Sequence, residues 1–251
     1  MDFVDKDSIV RKIWGNTDVI LFIFAGAAAE FSLNKAVDWL YFTGKLPKDP
    51  LGRLFSTVAY AQKIVFSTTT DAYMAIDLIT SIHKAIETSR GQNIPDWAYR
   101  DVLFMLIDYS IRAFQVLERK LTLMEKEEIF STFLKVGERM QIDGLPETFA
   151  EWEIMHEQQL NNNLIYSGFS KHLFEQYKKH LGILRFLLLL KIQALIVPDK
   201  VNTLLQLGKA RAVIPILAGY KVFRNFNAHR IFRNALLPAD YKAQILALEV
   251  N

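Results

Sequence analysis

Apolar residues recur every three or four positions along almost the whole chain, and no sustained two-residue alternation runs between hairpin signals. That period admits helices and little else. Only 11 Gly and 7 Pro punctuate 251 residues, too few for turn-dense β folds, collagen-like repeats or flexible linkers. The expectation is an all-α fold, a single compact multi-helix domain over residues 1–251 with short connections. The hydrophobic fraction of 51% leaves apolar residues to spare, which fill a large core, line a cavity or face a partner.

Capping signals place the helices. The spacing predicts helices over residues 8–14, 18–41, 51–66, 71–88 and 96–117, with Gly15-Asn16-Thr17 as a break and residues 43–50 as the clearest Gly/Pro loop. Thr122 with Glu125, and Thr148 with Glu151, have capping-box spacing, and Asp143-Gly144-Leu145-Pro146 turns between them. Asn161-Asn162-Asn163 reads as a loop. Further helices are expected over 170–197, 199–207 and 211–233, with a short one after Pro238.

Charge and targeting exclude several classes. A net charge of +3, evenly spread, gives no nucleic-acid footprint, and the stretch 171–179 reads as a solvated helix face. In the segment 220–230, buried Phe residues with snorkelling Arg and Lys account for the mixture of rings and bases, so no nucleic acid is expected. The acidic start Met1-Asp2-Phe3-Val4-Asp5 lacks the basic region of a signal peptide. Two apolar runs fall short of a membrane span: 19–29 ends at Glu30, and 181–197 contains Arg185, Lys191 and Gln193. The expectation is a cytoplasmic protein, with contact to a membrane surface left open and oligomeric state undetermined.

With no cysteine, any metal must be held by His or carboxylates. His83 lies in a stripe with Ile76, Ile79 and Ile86, so it points inward, either as a core histidine or as a ligand or acid–base group. Arg53, Ser56 and Thr57 share one helix face with no Glu in that turn. They form either an exposed polar face or a rim for an anionic or oxygen-containing group. At Gly26-Ala27-Ala28-Ala29, small side chains would let a helix or a flat ligand approach the backbone. No P-loop, G-x-G-x-x-G or G-x-S-x-G motif occurs.

The order of these features resembles the helical oxygenase family that includes the latex-clearing protein (rubber oxygenase) and the oxygenase of mycophenolic acid biosynthesis. The resemblance covers roughly residues 13–157. It is carried by Phe24-Ala25-Gly26-Ala27-Ala28-Ala29, by Asp49-Pro50-Leu51-Gly52-Arg53-Leu54 with Thr57, by Phe66 before Asp71-Ala72, and by Ile82-His83-Lys84-Ala85-Ile86. Leu121-Thr122-Leu123-Met124-Glu125 and Ile142-Asp143-Gly144-Leu145-Pro146 follow in the same order. The resemblance implies haem b between the helices in an apolar cavity, with His83 as the iron ligand. Arg53 and Thr57 are implied on the polar side of the iron or at a propionate, Gly26 beside the macrocycle, and Asp38 at the mouth of the site. In the rubber-cleaving branch a Lys precedes the motif Thr, where this chain has Ser56. The implied chemistry is therefore oxidation by dioxygen at a C=C bond of a small apolar, isoprenoid-like substrate, rather than rubber cleavage itself. A non-catalytic protein binding haem or a lipid is the alternative.

Overall fold

The computed structural model describes residues 1–44 and 48–209. Part of the 43–50 loop, the expected helices over 211–233 and after Pro238, and the 220–230 segment lie outside them. The described chain forms ten helices: α1 Ile9–Trp14, α2 Thr17–Leu33, α3 Val37–Phe42, α4 Pro50–Val65, α5 Thr69–Arg90, α6 Asp96–Leu117, α7 Leu123–Arg139, α8 Phe149–Asn162, α9 Gly168–Ile196 and α10 Asp199–Leu205. No strand occurs among the described residues, only two isolated bridges, Asp2 with Thr68 and Asn34 with Leu164. The all-α expectation holds.

At the centre is α2. Its sequence is apolar on every side, which suits a helix surrounded by others, and Val19, Ile20, Ile23, Ala29 and Leu33 are fully buried. Each of the larger of these side chains contributes roughly 1.5–3 kcal/mol through burial. α2 packs most extensively on α6 and α9, while α4 and α5 form an antiparallel pair joined through Phe66–Thr68. Among the described residues no helix is long and apolar enough to cross a membrane.

The expected helix over 18–41 is two helices. Asn34 ends α2 in extended backbone, its Oδ1 accepting the Ala36 N–H at 2.8 Å and its Nδ2 donating to Asp101 at 2.8 Å. A side chain that satisfies its own backbone two residues on competes with the helix, and a partner from α6 decides the contest here. Asn163 donates to the same Asp101 carboxylate, so α8 runs through the expected loop to Asn162 before stopping. The reciprocal capping box forms at Thr122 and Glu125. At Thr148 only half of it forms, because the Glu151 carboxylate takes the Glu147 N–H at 2.8 Å.

A bend divides α9 at Gly182, whose φ of 74° and ψ of 167° are a conformation nearly confined to glycine. Before the bend, Leu173, Tyr177 and Leu181 pack with Ala28 and Val37 in a small second core. Beyond it, Ile196 joins the main core with Leu189, Ile192 and Leu195 packed against it.

Candidate functional site

The α4–α5 pair brings two of the expected residues to the same level. Arg53 lies in the first turn of α4 after the Asp49 cap, where Pro50 opens the helix. His83 lies in the second half of the returning α5, near enough for the guanidinium charge to disfavour its protonation. Both are partly buried. Arg53 Nη1 donates to Ser56 Oγ and Thr57 Oγ1, each at 3.2 Å, so the predicted shared face exists. The two hydroxyls donate in turn to the Arg53 carbonyl. Thr57 therefore aims the guanidinium and spends its own hydrogen on the backbone. Burial lowers the Arg53 pKa, with nearby Tyr60 acting in the opposite direction. No carboxylate among the described residues pairs with Arg53.

His83 is held on one nitrogen. Its Nδ1 lies 2.8 Å from the Ile79 carbonyl, an acceptor only, so Nδ1 carries the proton and Nε2 the lone pair. Burial is the main cause that lowers its pKa and keeps the ring neutral. The Tyr99 ring, from the first turn of α6, meets the imidazole edge to face at 5.3 Å and 73°. The Tyr99 hydroxyl donates to Glu87 Oε1 at 3.1 Å, and burial followed by the Glu87 charge pushes this phenol up, keeping it a donor.

A neutral imidazole with one nitrogen fixed by a carbonyl has the form of a haem axial ligand. The other donor is the guanidinium, which suits a carboxylate or a bound oxygen atom. Among the described residues no group of three or more His, Asp and Glu could hold a metal ion; His83 and Arg53 offer one imidazole and one guanidinium. These residues fit a b-type haem.

Two further expected residues have partners of their own. Asp38 is ion-paired with Arg90 at 2.6 Å, and Arg90 also lies 4.0 Å over the Trp39 ring, fastening α3 to the end of α5. The space that Gly26 leaves is taken: a Cβ there would overlap the ring of fully buried Tyr109. Gly26 thus lets α6 approach α2, and the expectation that it makes room for a macrocycle is corrected. A surface pocket of about 410 Å³, lined by Tyr41, Ser167, Gly168, Phe169 and His172, includes none of the expected site residues.

Sequence reasoning missed four residues that matter. Tyr60, at i+7 from Arg53, and Glu87, at i+4 from His83, were open to a spacing argument. Tyr99 reaches His83 only through the turn between α5 and α6. Glu30, fully buried in α2, accepts Tyr109 Oη–H at 2.9 Å and Gln159 Nε2–H at 3.0 Å. Burial, then the Asp108 charge, pushes its carboxyl from 4.5 to about 8. In the sequence it stands only as the end of an apolar run.

The family model described as "ER-bound oxygenase mpaB/B'/Rubber oxygenase, catalytic domain" matches residues 11–225. No curated protein matches the chain, and no solved structure does. The match spans most of the sequence and takes in both the α4 face with Arg53 and the helix with His83, and the chain belongs to this oxygenase family.

Proposed function

We propose that this protein is a b-type haem-dependent oxygenase that uses dioxygen to oxidise a C=C bond of a small apolar, isoprenoid-like substrate. His83 would hold the iron and Arg53 would supply the polar contact. The observation that carries this reading is the His83 imidazole, neutral, with Nδ1 bonded to Ile79 and Nε2 left as the ligand atom. When bound, haem supplies the redox-active iron at which dioxygen chemistry takes place. The chain's own residues do the rest. His83 Nε2 donates its lone pair, and the Ile79 carbonyl prevents the tautomer that would protonate that atom. Arg53, steered through Nη1 by Ser56 and Thr57, has Nε and Nη2 to hold a propionate or stabilise charge developing on oxygen. Asp38, paired with Arg90, keeps α3 against the His83 helix.

The test is reconstitution with haem b. The parent should give a Soret band that His83→Ala loses or shifts, with helix content unchanged; identical spectra sink the assignment. Ser56 in place of the family Lys favours a second reading, a binding module without turnover. Oxygen uptake with isoprenoid alkenes separates the two, because a binding module consumes none.

A further inference from the structure

We propose that Tyr99 and Glu87 are positioning residues that lock the plane of the His83 ring and so fix the aim of Nε2. The proposal rests on the reading of His83 as an axial ligand, and it concerns groups that no part of that reading uses.

An imidazole on a helix can rotate about its last torsion and exchange Nδ1 with carbon. At His83 that rotation breaks the 2.8 Å bond to the Ile79 carbonyl, which alone holds one edge of the ring. The Tyr99 ring stands against it at 5.3 Å, nearly perpendicular, and blocks the sweep the rotation requires. Tyr99 is itself tied down at its far end, its hydroxyl donating to Glu87 Oε1 at 3.1 Å. The same oxygen accepts the Ile94 backbone N–H at 2.8 Å, so one carboxylate ties the start of α6 and the connection before it to the helix that carries His83. Glu87 follows His83 by four residues and thus projects from the same side of α5. A closed circuit results: His83 touches Tyr99, Tyr99 holds Glu87, and Glu87 returns through one helical turn to His83. Outer partners that hold a ligand ring typically alter metal affinity by about 10–100-fold when removed.

Two readouts on the full chain test this. In the haem-free protein, long-range ¹H–¹⁵N NMR of His83 should show one Nδ1–H tautomer without exchange broadening. Tyr99→Leu and Glu87→Ala should mix the tautomers or broaden the signals, and weaken haem binding by about 10–100-fold in a Soret titration. Glu87→Gln keeps a carbonyl acceptor for Tyr99 and should restore both properties, which a purely electrostatic role of the carboxylate would not. Tyr99→Phe keeps the ring and its volume but not the tether, and gives an intermediate loss even if Tyr99→Leu fails to fold. A single sharp tautomer and unchanged haem affinity in Tyr99→Phe and Glu87→Ala overturn the proposal while leaving His83 as ligand. If His83→Ala keeps the Soret band, the ligand reading fails, and with it the aim assigned to these residues, whatever the NMR shows about the ring.

Discussion

Protonation of Glu30 should govern how stability depends on pH. The carboxyl has no exposed surface, and its value moves from the ordinary 4.5 to about 8, chiefly through burial and secondly through Asp108. The native state therefore keeps a proton that the unfolded chain releases above about pH 4.5. The resulting stabilisation is complete below that value and is lost as pH rises through about 8. At 1.36 kcal/mol per tenfold, the whole window corresponds to about 5 kcal/mol. Between pH 6 and 7.5, where the native state holds nearly one extra proton, the parent should lose about 2 kcal/mol from this group. His83 and His156 act in the opposite sense, because burial lowers both and makes the unfolded state the better proton binder below about pH 6.5. The comparison must therefore be with Glu30→Gln, which keeps an oxygen for Tyr109 and removes the proton. The new amide can donate to Gln159 Oε1, an atom without a partner among the described residues, once the Gln159 amide turns over. Urea unfolding followed by circular dichroism at pH 6, 6.75 and 7.5 gives the midpoints. The difference between parent and variant should change by about 2 kcal/mol across that range; parallel curves would refute a protonated Glu30.

Three further outcomes are expected. Gly26→Ala should destabilise by about 1–3 kcal/mol through overpacking against Tyr109, although helix propensity alone favours Ala by about 1 kcal/mol; a higher urea midpoint than the parent's would exclude the steric account. Gly182→Ala should cost about 1–3 kcal/mol in thermal or urea unfolding although nothing lies near its added methyl, because the backbone conformation itself resists it. Arg53→Lys in haem-loaded protein should slow oxygen uptake or weaken haem binding by about 10–100-fold, equivalent to one hydrogen bond to a charged group; neither change would remove Arg53 from the site.

Helical order was legible because it is local. The Thr122 box, the Gly/Pro punctuation ahead of α4 and the i, i+3, i+4 face of Arg53, Ser56 and Thr57 depend on residues within one turn, and each is present. The break at Asn34 was not, since Phe31, Leu33 and Val37 continue the apolar period through it while the deciding partner, Asp101, is 67 residues away. His83 could be chosen from its stripe. Its tautomer needed the Ile79 geometry, and its contact with Tyr99 needed the turn between two helices. Gly26 shows the reverse error: the small residue was visible, but only the structure shows that a tyrosine ring is what it admits.

The bend at Gly182 makes α9 two arms meeting at a joint: the first sits in the small second core, and the second touches that core through Phe186 and Leu189 before Ile196 enters the main one. The outer arm ends near Phe169, whose ring lies tilted at 4.5 Å from that of Tyr41 of α3, the helix fastened by Arg90 to the one that bears His83. From the joint to that end is roughly 20 Å at 1.5 Å per residue, so a tilt of about 5° moves the tip by about 2 Å. A small angular change about one glycine is thus magnified into a displacement of atomic size where α9 meets α3.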